Sequence, residues 1–466
     1  MLANLAGGNQ FLELFSHKTN IILRVTCCVS HYLPVANQSQ NPRAIAVRLL
    51  LRRQAGNAYV EELLEDALAM NRLSAADRGL LQEITFGAVR WQRTLDWLID
   101  RKTEGRTQKA ALRALLQLGL YQLFWLGRVP DHAAVHETVE LARHLGFGSQ
   151  AGFVNAVLRG YGREREATRK QLDDLKQSDP ALGYSHPQWL WERWEKRFGR
   201  EPALKLLDWN NTPPPTFARV NTLKTNAEKL LPQLRLENVE YDFFRRDWFG
   251  DYDVFRLKAF PPLFKVPCFE QGMFYVQDPS TLLAVRELKP TPGETVLDWC
   301  AAPGGKTTYL AQLMNNEGRI LAHDAQPGRL KLVQENCARL GVKCVEPVAA
   351  DAAALRPGAF DKILVDAPCS NTGVLRRRVD LRWRIRPEEI DRLRVAQLGI
   401  LKKVAPWLKA GGTLIYSTCS LEPEENGGVV KEFLAGDAQF TQQRERELLP
   451  QVDGVDGAYV AVLRKR

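Results

Sequence analysis

Apolar residues recur at three- and four-residue spacing through the first third of this 466-residue chain. This period matches one face of an α-helix. It predicts helices over residues 44–53, 60–70, 80–99, 110–126, 133–145 and 150–161. Ser74 and Asp77 have the spacing of a capping box, which predicts that a helix begins there. We therefore predict an all-α domain over residues 41–165.

From about residue 276 onward, short apolar runs of strand length alternate with helical periodicity. The predicted strands are residues 295–298, 319–324, 345–348, 362–366 and 413–417. This alternation is typical of a mostly parallel sheet covered by helices, in which ligands bind beyond the carboxyl ends of the strands. We predict an α/β Rossmann-like domain over residues 276–466.

The regions outside these two domains have weaker patterns. Residues 163–179 are highly charged, which predicts a linker or a long exposed helix. A tryptophan-rich helical stretch and a strand-like run at 216–220 follow, so we predict a small α+β accessory subdomain within residues 166–275. Residues 1–40 show no sustained period, and we expect a poorly ordered extension or upstream sequence from a wrongly chosen start.

The composition favours a multi-domain protein with a polyanionic partner. A formal charge of +10 suits nucleic acid but is weak evidence by itself. The eight cysteines form no C-x-x-C pair and no cluster with His at zinc spacing. We therefore expect no metal, and reduced thiols in the cytoplasm. No apolar run approaches the roughly 20 residues of a membrane span. We also expect the protein to be a monomer.

A glycine-rich turn follows the first predicted strand of the α/β domain, where residues 296–308 read VLDWCAAPGGKTT. Glycine lets the backbone approach a ligand, and the following helix N-terminus offers unpaired N–H groups. A Walker A loop is disfavoured, because Cys300 stands where that motif has a glycine. A nicotinamide dehydrogenase is disfavoured, because G-x-G-x-x-G is lacking. Three strand-end carboxylates predict ligand contacts: Asp324, suited to a ribose diol, Asp351, suited to an adenine amine, and Asp366.

Two cysteines also follow predicted strands. Cys369 lies in the run Ala-Pro-Cys-Ser, and Cys419 lies in the run Ser-Thr-Cys-Ser. A cysteine is commonly a small buried hydrophobic residue. A pair beside ligand-binding strand ends instead predicts nucleophilic catalysis by a thiolate. The spacing alone does not show which of the two attacks.

These motifs resemble those of known families. Residues 298–307 strongly resemble the cofactor motif of the Sun family of RNA cytosine-C5 methyltransferases. Residues 219–224, Arg-Val-Asn-Thr-Leu-Lys, are similar to the R-x-N-x-x-K segment of that family. Residues 121–123, 137–142 and 153–158 resemble the NusB-type RNA-binding helical domain. The resemblance covers nearly all of the chain from residue 41 to 466. In the terminal strand, Ala458 departs from the usual aromatic residue.

The positions that match the cofactor motif and the strand ends bind S-adenosylmethionine in the Sun family. The resemblance therefore implies S-adenosylmethionine as the cofactor. The residues that it implies as ligands are Cys300, Ala301, Ala302, Pro303, Gly304, Gly305, Lys306, Asp324, Asp351 and Asp366.

The reaction of this family explains the need for a thiolate. C5 of cytosine is a poor nucleophile, but a thiolate that adds to C6 moves electron density to C5. A carboxyl group near N3 would assist as the ring accepts charge, and Asp366 is placed for this role. Positive charge from Lys306 or nearby arginines could lower the pKa of the thiol. On the family resemblance, Cys419 attacks and Cys369 aids the release of the product.

An arginine-rich run follows the Cys369 motif and contains an Asp-x-x-Trp segment that the family shares, at residues 380–383. A charge run is commonly a solvated face, but this one adjoins the expected catalytic loop. The arginines predicted to contact RNA phosphates are Arg376, Arg377, Arg378, Arg382 and Arg384.

The order of the domains implies a methyltransferase that acts on C5 of a cytosine in 16S ribosomal RNA through a covalent Cys–C6 adduct. A tRNA cytosine-C5 methyltransferase is the nearest alternative, because the catalytic motifs are shared. A non-catalytic RNA-binding antitermination factor is an alternative from another class, and the two motif cysteines argue against it. Residues 422–426, Glu-Pro-Glu-Glu-Asn, are also a family feature, but by themselves predict only a turn and a helix start.

Overall fold

The computed structural model describes residues 40–349 and 355–466, which divide between two compact units. The first unit holds the described residues up to Thr212 together with Leu375–Arg384. The second unit holds Pro213–Val374 and Ile385–Arg466. In the described part of the chain, no helix is both long and apolar enough to cross a bilayer.

The first unit is all-helical around one apolar core. Its longer helices are α1 Pro42–Ala55, α2 Val60–Met70, α3 Ala75–Arg90, α4 Gln92–Lys102, α5 Ala110–Trp125, α6 Asp131–His144, α7 Ala151–Arg163, α8 Arg165–Ser178, α9 Gln188–Phe198 and α10 Arg200–Asn211. Helix α5 is buried on most of its surface and contacts α1, α3, α4, α6 and α7. A helix that is apolar all round belongs at the centre of a bundle.

One predicted helix of this unit is two helices in the structure. The expected helix over residues 80–99 is interrupted at Trp91, where the backbone leaves helical geometry between α3 and α4. The ring of Trp91 lies 4.7 Å from that of Trp125. A one-residue break hardly changes the hydrophobic period, so the pattern could not reveal it. The predicted cap is present, because the Asp77 amide donates to Ser74 Oγ at 3.1 Å.

The second unit contains a four-stranded antiparallel sheet in the order β2-β3-β1-β4. Its strands are β1 Thr216–Val220, β2 Glu240–Phe243, β3 Val254–Ala259 and β4 Phe274–Val276, with helix α11 Ala227–Leu236 between β1 and β2. The buried Arg219 donates to Gln277 Oε1 at 2.7 Å and to the Gly305 carbonyl at 3.0 Å. Strand β1 is thereby fixed against the glycine-rich turn.

A seven-stranded sheet forms the rest of the second unit, in the order β10-β11-β9-β8-β5-β6-β7. Its strands are β5 Thr295–Asp298, β6 Arg319–Asp324, β7 Val345–Ala349, β8 Phe360–Asp366, β9 Leu408–Thr418, β10 Phe440–Leu448 and β11 Ala458–Lys465. Strands β5 to β9 are parallel, whereas β10 and β11 pair antiparallel at one edge. The helices of this part are α12 Leu282–Leu288, α13 Gly305–Leu313, α14 Pro327–Leu340, α15 Pro387–Val404 and α16 Gly427–Gly436.

The predicted fold class is confirmed: the chain combines an all-α part, a small α+β part and a Rossmann-like α/β part. The predicted strands at residues 295–298 and 319–324 have the same bounds in the structure. The α/β part places the carboxyl ends of β5, β6, β8 and β9 at one edge of the sheet, because these strands are parallel.

Candidate active site

The glycine-rich turn between β5 and α13 is a tightly bonded loop. The Ala301 amide donates to the His323 carbonyl, and the Gly304 amide donates to the Ala301 carbonyl, both at 2.8 Å. Gly304 has a φ of 104° and is the N-cap residue directly before α13. A Cβ atom at this position would lie 3.2 Å from Val333 Cα, and positive φ strains any residue with a side chain. The loop therefore requires glycine at position 304.

Asp324 lies at the carboxyl end of β6, and its carboxylate is buried against this loop. Its Oδ2 atom accepts from the Ala302 amide at 3.2 Å, and its Oδ1 atom accepts from the Gln326 amide at 3.0 Å. A carboxylate has about four acceptor positions, so Asp324 keeps capacity for a further donor such as a ribose hydroxyl. Asp351 lies outside the described residues, and its role in binding stays a prediction.

Asp298 is a functional candidate that the sequence reasoning did not single out. It ends β5, is 1% exposed, and accepts from Thr307 Oγ1 at 2.7 Å through Oδ2. Burial raises the pKa of Asp298 to about 7. Its buried Oδ1 atom has no hydrogen-bond partner among the residues that the structure describes. The signal in the sequence is an acidic residue at the end of a buried strand directly before a glycine-rich turn.

Lys306 and Asp366 form an ion pair beside the loop. Lys306 Nζ lies 2.6 Å from Asp366 Oδ2, and Ser417 Oγ donates to Asp366 Oδ1 at 2.9 Å. Burial lowers the pKa of Lys306, but the charge and hydrogen bond of Asp366 outweigh it, and the pKa is raised overall. The lysine is therefore a fixed positive charge at the ends of β8 and β9.

The two motif cysteines lie side by side at the ends of β8 and β9. Cys369 Sγ is 3.4 Å from Cys419 Sγ, and the Cys419 thiol donates to Asn371 Oδ1 at 3.0 Å. Asn371 has a φ of 57° and donates through Nδ2 to the Cys369 carbonyl at 2.7 Å. Its contact with Cys419 could not be read from the sequence, because no motif marks it.

The two thiols differ in environment. Cys369 is 8% exposed, whereas Cys419 is half-buried. The hydrogen bond with Cys419, together with burial, raises the pKa of Cys369 well above its ordinary value. Cys369 therefore holds its proton strongly, and Cys419 is the thiol that a ligand in the site can reach.

Two of the five arginines in the run are not available for the RNA contact that we predicted. Leu375–Arg384 belongs to the first, helical unit. Arg376 is 2% exposed and lies 4.0 Å over the Trp209 ring, and Arg382 is fully buried. Arg384 pairs with the buried carboxylate of Asp380 at 3.1 Å. For Arg376 and Arg382 the prediction of RNA contact is corrected, because their side chains are enclosed by the protein.

Arg382 is held by oxygen atoms of the first unit. Its guanidinium donates to Asn211 Oδ1 at 2.9 Å, to the Asn210 carbonyl at 2.8 Å and to the Ser185 carbonyl at 3.2 Å. The Asn210 and Ser185 carbonyls lie at or just after helix ends, where carbonyls need donors. Arg377 is half-buried and Arg378 is exposed.

Replacing Arg382 with alanine should therefore lower stability rather than RNA affinity. Each buried acceptor that is left without a donor costs about 1–3 kcal/mol, so Arg382→Ala should lower the free energy of unfolding by about 3 kcal/mol or more. Urea denaturation followed by circular dichroism measures this. The exposed Arg378→Ala is the control and should change stability by about 0.5 kcal/mol at most. Weaker RNA binding by Arg382→Ala with unchanged unfolding would restore the original prediction.

Three family models match the chain. The model described as 16S rRNA methyltransferase RsmB/F matches residues 285–464. The NusB family matches residues 40–163, and the RsmF/B-like ferredoxin-like domain matches residues 186–244. The NusB match lies in the helical unit and the methyltransferase match lies in the α/β part, whereas the ferredoxin-like match includes the last two long helices of the first unit and the start of the small α+β part.

Curated relatives match over almost their whole length. A protein of Vibrio vulnificus named ribosomal RNA small subunit methyltransferase B is 37% identical over 441 residues, covering 91% of this chain and 100% of its own. A protein of Escherichia coli with the same name is 36% identical over 450 residues, covering 89% of this chain and 99% of its own.

Solved structures share the fold. The crystal structure of PH0851 superposes with a TM-score of 0.75 at 26% identity, covering 92% of this chain and all of its own. The structure of NSun6 from Pyrococcus horikoshii with SFG gives a TM-score of 0.53 at 25% identity, covering 60% of this chain and 98% of its own.

Proposed function

Because this chain belongs to the RsmB/F family of 16S rRNA methyltransferases, we propose that it methylates C5 of one cytosine in 16S ribosomal RNA through a covalent bond between Cys419 and C6. Membership in this family shows that the chain is a methyltransferase that depends on S-adenosylmethionine. The covalent route and the roles of individual residues are our proposal. The observation that carries it is the pair of thiols 3.4 Å apart beside the Lys306–Asp366 ion pair.

The residues of the loop fit S-adenosylmethionine. The buried and unpaired Oδ1 atom of Asp298 is an acceptor for a cationic donor such as the ammonium group of this molecule. Asp324 would hold the ribose hydroxyls, and residues 300–306 would line the methionine part at the start of α13. When bound, S-adenosylmethionine supplies an electrophilic methyl group.

Cys419 begins the reaction on the RNA base. The Cys419 thiol releases its proton to solvent, its thiolate adds to C6, and the electron pair of the C5–C6 double bond moves toward C5, which becomes nucleophilic. Asp366 would face N3 and, when it carries a proton, would donate a hydrogen bond or that proton to N3 as the ring accepts charge, and take the proton back when the product is released. Lys306, held by Asp366 at 2.6 Å, supplies a positive charge next to the thiolate.

Cys369 completes the reaction after the methyl group has reached C5. Its protonated thiol lies next to the Cys419 sulfur and can give its proton to that sulfur as the C6–S bond breaks. The H5 proton leaving C5 restores the Cys369 thiol as the C5–C6 double bond forms again. The high pKa of Cys369, caused by its hydrogen bond with Cys419 and by burial, suits the transfer of H5, because the Cys369 thiolate is then a strong base.

The RNA must present an unstacked cytosine, because C6 is inaccessible inside a stacked helix. For RNA contact we retain Arg377 and Arg378 from the arginine-rich run, together with Arg384, whose side chain is 23% exposed. A ribosomal RNA substrate implies a protein that works in the cytoplasm. The six cysteines of the described residues are free thiols, as is typical of that compartment. We propose that the monomer is active, since both cysteines and the loop lie on one chain.

Product analysis tests this function. Purified protein, radiolabelled S-adenosylmethionine and unmodified 16S rRNA or bulk tRNA are incubated, and the RNA is digested to nucleosides. We expect label in 5-methylcytidine from 16S rRNA and none from tRNA. Bisulfite sequencing of RNA from a deletion strain should locate the same cytosine. Label in tRNA alone would refute the ribosomal assignment, and label in any nucleoside other than 5-methylcytidine would refute the chemistry.

A further inference from the structure

Glu425 is a buried carboxylate between the two cysteine loops. Its side chain is 0% exposed. Oε1 accepts from the Ser370 amide at 2.8 Å and from Gln397 Nε2 at 3.0 Å. Oε2 accepts from Ser420 Oγ at 2.5 Å and from Ser370 Oγ. A buried carboxylate is costly unless donors surround it, and this one has four.

Three of the four donors to Glu425 belong to the residues that directly follow the two cysteines. Ser370 follows Cys369, and Ser420 follows Cys419. The two serine hydroxyls also lie 2.9 Å apart. One carboxylate therefore holds both loops at the positions next to their sulfur atoms, although the loops are 50 residues apart in the chain.

Further bonds join the same loops but involve no charge. The Leu421 amide donates to Thr372 Oγ1, and the Gly373 amide donates to the Cys419 carbonyl, both at 2.9 Å. Burial raises the pKa of Glu425 overall, and the hydrogen bonds from Ser370 and Ser420 oppose this rise. Hydrogen bonds to a charged group are stronger than neutral ones, so the Glu425 carboxylate is the principal tie between the loops.

We propose that Glu425 is a positioning residue that sets the separation of the Cys369 and Cys419 sulfur atoms for the two steps of the reaction. The inference rests on the proposed function. Cys419 must reach C6 in the first step, and Cys369 must reach the Cys419 sulfur in the second, so both loops need fixed positions at once. A misplacement of about 1 Å can cost about 10²-fold in rate, and the fully buried Glu425 acts through the two loops.

The matched variants are Glu425→Gln and Glu432→Gln. Glutamine keeps the length of the Glu425 side chain but replaces an acceptor oxygen by an NH₂ group, which faces donors. Glu432 is an exposed carboxylate on α16 that pairs with Arg394, so its variant removes the same charge away from the loops. Glu425→Gln should lower kcat by about 10²-fold and leave the KM for S-adenosylmethionine unchanged, and Glu432→Gln should behave as wild type.

A second measurement reports the sulfur separation without RNA or donor. The thiol oxidant diamide is added to the folded protein, and the disulfide between Cys369 and Cys419 is followed by peptide mass spectrometry. A disulfide needs closely matched Cβ positions, so Glu425→Gln should slow its formation by about tenfold. If Glu425→Gln does not fold, Ser420→Ala removes one donor and should slow both reactions less severely.

The outcomes separate the two proposals. Loss of kcat together with slower disulfide formation supports the positioning role. A lower kcat with a wild-type rate of disulfide formation overturns the positioning role, because Glu425 would then act without setting the sulfur separation. Slower disulfide formation with a wild-type kcat also overturns it, because catalysis would then not depend on that separation. A wild-type protein that forms the disulfide quickly but methylates no RNA would refute the proposed function alone.

Discussion

Cys419→Ala should abolish methyl transfer, with kcat falling by a factor of about 10⁴ or more. The covalent bond to C6 is the step that makes C5 reactive, and no other group replaces the sulfur atom in this route. Cys369 cannot take over, since it is buried and burial by itself raises its pKa. Transfer of label from S-adenosylmethionine to 16S rRNA measures the loss, and no RNA–protein adduct should form.

Cys369→Ala should have the opposite effect on the adduct. The first step keeps its nucleophile, but the Cys419 sulfur loses its neighbouring proton donor at 3.4 Å. Release should slow by about 10²-fold or more, and the RNA-bound protein should accumulate as a shifted band on a denaturing gel. Cys344→Ala, at a half-buried cysteine outside both motifs, is the control and should turn over normally. Turnover by Cys419→Ala, or an adduct formed by it, would reverse the assigned roles.

The sequence predicted those parts of the fold that depend on local patterns. Strands β5 and β6 have the predicted bounds because each is a short apolar run ended by an acidic residue and a turn. The glycine-rich loop was recognisable in the sequence because its geometry can be adopted only by glycine. Gly304 has a positive φ and lies close to Val333, so a side chain is excluded there. The break at Trp91 was not predictable, since one non-helical residue preserves the apolar period on both sides.

The sequence predicted which residues lie together at the candidate site but not the contacts between them. Parallel strands bring their carboxyl ends together, so Cys369 and Cys419 were expected near the loop. The contact between the two cysteines depends on tertiary hydrogen bonds through Asn371 and Glu425. The sequence around Glu425 predicts only a turn and a helix start. These bonds join residues far apart in sequence, which no local period encodes.

The arginine-rich run shows that clustered charge does not by itself predict contact with RNA. Clustered arginines predict a solvated or RNA-binding face, because an unpaired buried charge is expensive. Arg382 is partly compensated by oxygen acceptors that include residues 185, 210 and 211, although burial still lowers its pKa. Those acceptors lie more than 170 residues away in the chain, so the sequence could not distinguish a structural arginine from one that contacts RNA.

Asp366→Asn should lower kcat by about 10²–10⁴-fold, the usual range for losing a positioned acid or base. Asparagine can donate a hydrogen bond to N3 of the cytosine but cannot donate a proton there. It also removes the negative partner of Lys306, which lies 2.6 Å away. Both changes weaken the step in which the ring accepts electron density from the Cys419 sulfur, so the adduct that accumulates in Cys369→Ala should decrease in the double variant.

Steady-state kinetics and S-adenosylmethionine titration distinguish the possible roles of Asp366. The control is Asp361→Asn, at the other end of β8, where the carboxylate is bonded to Lys409 and to the Thr295 amide. It should keep kcat near the wild-type value. If Asp366→Asn raised only the KM for S-adenosylmethionine, the carboxylate would bind the donor without acting on cytosine. Unchanged kcat and KM would remove Asp366 from the site, and the ring charge would then have to be met by Lys306 alone.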